Sequence, residues 1–180
     1  MACAVQTSFE ASEVALPDDL RDWMDRYSLA RLVLEAIQAA TLPSAPATAM
    51  RGGNAGIRPH MLLSLLTYCY ATGVHGSADI ELISTQDPMV RHLCADIYPE
   101  AQVLRQFRRR NREAIRTCLA EVLRRAWAIQ LSPGAGNPDE LPVAIVPDDQ
   151  FNAPALHAFA AEAEQRINRA VRLDCWTFDD

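Results

Sequence analysis

The chain has 180 residues, 49% hydrophobic and 22% charged, with a formal net charge of −6. That is enough apolar material to bury a core without disulfides or metals. The five cysteines are odd in number and form no Cys-x-x-Cys pair, so neither a disulfide framework nor a zinc ribbon is indicated and a reducing, cytoplasmic setting is expected.

No run of about 18 apolar residues occurs, and Met1 to Ala15 carries acids but neither Lys nor Arg, so no membrane span or secretory leader is expected. Charge is strongly segregated. Residues 91–130 carry a net +5, whereas residues 1–50, 51–90 and 131–180 carry −4, −1 and −6. All 17 basic residues are arginine. One basic segment in an acidic chain can face a polyanion despite the negative total.

Asp18, Asp19 and Asp22 place negative charge in the first turn of a helix carrying Leu20, Trp23, Met24 and Tyr27 at helical spacing. The phase then slips to Leu29, Leu32, Val33, Ala36 and Ile37, which predicts a break near Ser28. Residues 1–41 form an N-terminal helical segment, and the Pro-, Ala- and Gly-rich residues 42–57 a linker or loop. Pro59 suits a first helical turn, His60 to Thr72 is a buried helix, and Gly73 is its left-handed stop. Ser77 caps a short helix through Ile80, Leu82 and Ile83, and Asp87-Pro88 opens another through Val90, Leu93 and Cys94. Pro99 opens the longest helix, to about Ala128, bending around Asn111. After the Pro133 to Pro142 break, Val143 to Val146 reads as a lone short strand and Ala153 to Leu173 as a helix with Leu156, Phe159, Ala163, Ile167 and Ala170 on one side. Asp174 to Asp180 reads as a loose acidic tail.

Arg105, Arg108, Arg109, Arg112 and Arg116 fall within an arc of roughly 100° on the long helix. Leu104, Phe107, Ile115, Cys118, Leu119, Val122 and Leu123 occupy a neighbouring face, so burying that face is expected to leave the arginines exposed. The alternative is a solvated face neutralised by Glu113, Glu121 or the acidic tails. Like charges at i, i+4 destabilise a helix by a few tenths of a kcal/mol per pair, a cost that a polyanion relieves. The −6 of residues 131–180 opposite the +5 of residues 91–130 also raises the prospect of autoinhibition.

Other chemistry finds little footing. His60, His75, His92 and His157 have no partners at metal-ligand spacing and read as surface or cap residues, so no metal or cofactor is expected. Cys69, Cys94 and Cys118 read as small buried hydrophobes, and Trp23 and Trp127 as core. Arg51-Gly52-Gly53-Asn54 lacks the flanking strand and lysine of a phosphate loop.

Two short helices followed by an arginine-bearing helix is a helix-turn-helix-like order, and Arg58 to Trp127 resembles the N-terminal domain of DDE-type insertion-sequence transposases, the InsH-like group. The shared landmarks are Arg58-Pro59-His60-Met61-Leu62-Leu63 with Leu65, Leu66 and Tyr70, then Gly73, and Ser77-Ala78-Asp79-Ile80-Glu81 in place of a Ser-Ser-Arg-x-Ile-Glu-like run. Asp87, Arg91 and Leu93 follow in order. Pro99-Glu100-Ala101-Gln102-Val103-Leu104-Arg105-Gln106-Phe107-Arg108 then stands for a Pro-Asp-His-x-Thr-Ile-x-Arg-Phe-Arg-like signature, departing from it at Glu100, Ala101 and Val103 and in having Leu104-Arg105-Gln106 before Phe107 instead of an Arg directly before it. The resemblance implies recognition of the terminal inverted repeats of a mobile element. That family continues into an RNase H-like domain whose carboxylates hold two Mg²⁺ ions; the residues after Trp127 are too few for it, and Pro147 sits between Val143-Ala144-Ile145-Val146 and Asp148-Asp149 where an Asp-Gly-Thr landmark would stand.

The sequence is therefore read as all-α, with residues 58–130 a transposase-like DNA-binding domain and 131–180 a break followed by an acidic helix. The expected partner is double-stranded DNA, contacted by Arg105, Arg108, Arg109, Arg112 and Arg116. Homo-oligomers are possible; no catalytic centre, small-molecule substrate or membrane is implied. A protein-interaction or regulatory module of the same ancestry is the alternative.

Overall fold

Carboxylates at helix starts and left-handed residues after α-helices punctuate the chain in the computed structural model, which describes residues 14–38, 57–131 and 153–176. A 3-10 turn at Leu20–Asp22 is capped by Asp19, whose carboxylate accepts from the Arg21 N–H at 2.8 Å. Asp25 then accepts from the backbone N–H groups of Tyr27 (2.8 Å) and Ser28 (3.1 Å), the bonding of an N-cap, and opens α1 (Arg26–Gln38). The expected phase slip is real but falls just ahead of Ser28. It turns Tyr27 outward, 74% exposed, while Leu29, Leu32, Val33, Ala36 and Ile37 enter the core.

Helix α2 (Pro59–Ala71) is buried over most of its circumference. It ends as the sequence predicts: Gly73 has φ +77°, and the Val74 N–H reaches back to the Cys69 carbonyl at 2.9 Å. Helices α3 (Ser77–Gln86) and α4 (Pro88–Leu93) follow, α4 capped by Asp87 on the N–H groups of Met89 and Val90. The single long helix expected from Pro99 is two helices, α5 (Ala101–Arg110) and α6 (Arg112–Leu131). Asn111 separates them, with φ −121° and ψ 26°, and its amide donates to the Phe107 carbonyl at 3.0 Å. Helix α7 (Ala153–Trp176) runs past the expected end at Leu173, and Asp174 is buried within it rather than lying in a loose tail. The Val143 to Val146 strand, the Asp148-Asp149 pair and most of the 42–57 linker lie outside the described residues.

Every regular element among the described residues is helical, so the fold is all-α. Helix α6 is the central strut: it packs on α1, α2 and, most extensively, α7, while α3 lies against α4 and α5. Trp127 of α6 meets Phe159 of α7 edge to face, with ring centroids 6.0 Å apart. The described parts of the N-terminal, middle and C-terminal segments share one hydrophobic core: Leu20, Val33, Leu65, Leu119, Phe159 and Ile167 all belong to it. No described helix is long and apolar enough to cross a membrane.

A Cβ at Gly73 would stand 3.3 Å from the Asp18 carbonyl oxygen, besides occupying the left-handed region. Gly73→Ala is therefore expected to lower unfolding stability by about 1–2 kcal/mol in urea denaturation, with an unchanged helical circular-dichroism spectrum.

Candidate nucleic-acid interface

The five arginines expected to form one exposed stripe divide into structural and outward-facing members, and the division begins with Arg108. Its side chain is 4% exposed and turned into the protein, contrary to the expectation that packing leaves all five in solvent. Nη1 donates to the Tyr70 hydroxyl at 3.0 Å and to Ser77 Oγ at 3.3 Å, and Nη2 pairs with the Asp174 carboxylate. At 100° per residue Arg108 is the inward edge of the arginine arc, between Ile115 and Leu119 in projection, so burying the apolar face carries it inward.

Asp174 does more than neutralise Arg108. Gly76, the N-cap of α3, has no side chain to cap with. The carboxylate of Asp174, from α7, takes that place, accepting from the Ser77 N–H at 2.8 Å and from Ser77 Oγ at 2.7 Å. It sits at the positive end of the α3 dipole. Burial alone would push the Asp174 carboxyl up, but the bonds from Arg108 and Ser77 outweigh it and hold it below the ordinary carboxylate value. Burial is also the main reason that the Tyr70 hydroxyl is pushed up to about 12, so it remains a neutral partner. Glu81 of α3 repeats the device, capping α5 by accepting from the Ala101 N–H at 2.8 Å.

Two further members of the predicted set hold carboxylates of this chain. Arg112 pairs with Glu164 of α7 and donates to Asn168 Oδ1 at 2.7 Å; Arg116 pairs with Glu113 one turn away at 2.5 Å. Both are partly exposed. Arg105 is half-buried on α5, and Arg109 is exposed with no ion pair among the described residues. Arg110, outside the predicted arc, is exposed and likewise unpaired there. At 100° per residue Gln102, Arg105, Gln106, Arg109 and Arg110 occupy one outward side of α5, and that helix contains no Asp or Glu.

Arg166 is a buried arginine that the sequence reading did not single out. It is 1% exposed, and its guanidinium donates to the carbonyls of Tyr70 (3.1 Å) and Ala71 (3.3 Å) at the end of α2 and of Asp18 (3.1 Å) and Pro17 (2.5 Å) in the N-terminal segment. Nε pairs with Glu162 at 2.8 Å. The signal was available: with Phe159, Ala163 and Ala170, Arg166 lies on the apolar stripe of α7, and Asp174 falls one turn beyond Ala170. A charge on a buried stripe needs a specific partner.

His60, His92 and His157 are exposed as expected, but His75 is buried, stacked on Tyr70 with centroids 5.8 Å apart and Nε2 unpartnered. Burial first, then the nearby charges of Arg169 and Arg166, push its pKa down to about 4, against smaller opposing effects of Gly73 and Asp18. Cys69, Cys94 and Cys118 are packed as hydrophobes, and burial pushes the Cys94 and Cys118 thiols up to about 12 and about 11. Among the described residues no three His, Cys, Asp or Glu side chains converge on a possible metal position. A groove of about 400 Å³ between α1, α6 and α7 is lined by Ala36, Ala120, Leu156 and Phe159, and the arginines at its rim, Arg116 and Arg124, are already paired with Glu113 and Glu121.

Removing one partner of a buried pair leaves the other charge stranded. Arg108→Ala is thus expected to cost about 3–5 kcal/mol in chemical denaturation, against less than about 0.5 kcal/mol for Arg109→Ala. Acid acts in two stages of the same sign. The folded pKa of His75, about 4, lies below its ordinary 6.5, so stability present above pH 6.5 erodes as pH falls towards 4, by on the order of 2–3 kcal/mol. Asp174 contributes fully above its unfolded value of about 3.9 and loses that contribution as pH falls through its lower folded value. In thermal melts between pH 7 and pH 3, His75→Phe is expected to remove the first stage and leave the second.

Comparison with protein-family models, curated proteins and solved structures finds no match to this chain.

Proposed function

We propose that this chain is a DNA-binding module, without a catalytic centre of its own, that engages double-stranded DNA through the outward side of α5. One observation carries the reading: Arg109 and Arg110, exposed beside Gln102 and Gln106 and in no ion pair among the described residues, lie on one side of a ten-residue helix that itself holds no Asp or Glu. A helix whose arginines served only solubility would gain from Glu at i, i+4 positions, and phosphates supply the missing negative charge instead. Arg112 extends this surface; its pairing with Glu164 is partly exposed and can exchange for a phosphate. Arg116 is farther along α6 and engaged with Glu113, and Arg108 contributes by fixing α5 rather than by contact.

The resemblance of Arg58 to Trp127 to transposase N-terminal domains agrees with this assignment and suggests the ends of a mobile element as the target. Departures at Glu100, Ala101 and Val103 point to a different preferred sequence. A second reading, a protein-interaction module, is favoured by the pairing of Arg112 with Glu164: carboxylates of this chain already occupy part of the face, and an acidic partner would use the same chemistry. Among the described residues Asp174 is a structural partner of Arg108, so of these two pairs only Arg112 with Glu164 fits the autoinhibition raised by the charge pattern.

Fluorescence-polarisation titration with pooled duplex DNA at two salt concentrations tests the proposal. The wild-type chain is expected to bind with an affinity that falls steeply with salt, and an Arg105/Arg109/Arg110→Ala variant of unchanged thermal stability to lose most of that affinity. Absence of binding by the wild type at low salt would refute the DNA reading and leave the protein-interaction one.

A further inference from the structure

We infer that α5 reads base sequence in the major groove, with Gln106 and Gln102 as adenine-reading residues, Arg109 as a guanine-reading residue, and Arg110 as a phosphate contact. This rests on the DNA-binding reading and goes beyond it, since a helix that only gripped phosphates would need cations alone.

Gln102 and Gln106 are both exposed, one turn apart, between the arginines on the outward side of α5. A glutamine amide offers a donor and an acceptor side by side, the fork that matches N6 and N7 of adenine; the guanidinium of Arg109 matches O6 and N7 of guanine. Ten residues make a helix about 15 Å long, comparable with the roughly 12 Å width of the groove. One helical turn advances about 5.4 Å, so Gln102 and Gln106 fall opposite base pairs one or two steps apart.

The helix is also held firmly enough to keep a register. Leu104 and Phe107 bury its inner side, Arg108 is bonded to Tyr70, Ser77 and Asp174, and Glu81 caps its first turn at Ala101. None of these contacts uses Gln102, Gln106, Arg109 or Arg110. Glu81 and Glu100 stand at the N-terminal end of the helix and Asp174 is buried on its inner side, whereas Arg109 and Arg110 are exposed in its last turn. Arg110, at the edge of the outward side and next to the break at Asn111, is placed for the backbone rather than for a base.

The test is selection of bound duplexes from a random pool by the full chain and by Gln106→Ala, Arg109→Ala and Arg110→Ala variants, each with unchanged melting. The wild type is expected to enrich a short motif containing adenine and guanine. Gln106→Ala should lose the preference at one adenine position, lowering discrimination there roughly ten- to hundredfold, while binding the unselected pool with near-unchanged affinity. Arg109→Ala should do the same at a guanine, and Arg110→Ala should weaken all sequences alike. In the selected site, 7-deazaadenine at the adenine read by Gln106 should cost the wild type its preference there and cost Gln106→Ala nothing more. If the wild type binds the pool but enriches no motif, or if Gln106→Ala and Arg109→Ala enrich the wild-type motif unchanged, base reading by α5 is overturned while DNA binding stands. If the wild type binds no duplex at low salt, both fail.

Discussion

The buried pairing of Arg108 with Asp174 is the joint on which the arrangement of α3, α5 and α7 depends. Its components come from places far apart in the chain, and each closes a different gap. Asp174 supplies the N-cap that Gly76 cannot, Glu81 of α3 supplies a cap to α5, and Arg108 of α5 returns to Asp174. The three helices are thereby tied in a ring through their ends, where unpaired backbone N–H groups would otherwise be left. A carboxylate in such a place is stabilised by two N-terminal effects at once, the local hydrogen bond and the helix dipole. Its loss would strand a guanidinium beside Tyr70 in a water-poor setting, a larger penalty than the pairing itself contributes.

Arg166 plays the complementary part at the C-terminal end of a different helix, α2. Helix α2 ends at Ala71 with carbonyls that have no partners inside the helix, and the Arg166 guanidinium accepts this task for Tyr70 and Ala71 while binding the Pro17 and Asp18 carbonyls. Gly73 permits the approach, because its backbone passes close to Asp18 where a side chain would intrude. Helix α7 thus carries one buried charge of each sign, a cation at the C-terminus of α2 and an anion at the N-terminus of α3. That polarity fixes its direction across the molecule more specifically than its apolar stripe alone.

These commitments explain why the arginine-rich segment is not uniformly a binding surface. Arg108 is consumed by the fold, Arg112 and Arg116 hold carboxylates within reach of solvent, and Arg125 bridges α6 to Glu35 of α1. The side of α5 left over is defined by subtraction: after the core and the ion pairs have taken their residues, Gln102, Gln106, Arg109 and Arg110 remain outward, with Arg105 half-buried beside them. A rigid helix with a polar, carboxylate-free exterior is suited to a polyanion, and its rigidity comes from contacts on its other side.

The sequence by itself determined the helical class, the order of the helices and several of their ends. Pro59 and Gly73 bound α2 and Asp87 starts α4, because fixed φ, positive φ and a side-chain acceptor act within a few residues. It also determined the apolar faces, since Leu104, Phe107, Ile115 and Leu119 follow a 3.6-residue period whatever they pack against. It left open which charges those faces would carry inward. Arg108 and Arg109 are chemically identical but 100° apart on the helix; Arg108 falls beside Leu104, and the approach of Asp174, Ser77 and Tyr70 makes that position a buried anchor. The break at Asn111 likewise divides the basic segment between two helices, α5 and α6. Local rules set periodicity and caps; long-range pairing of α7 with α2, α3 and α5 decided which arginines became structure and which remained surface, because the desolvation of a charge depends on partners that no local spacing specifies.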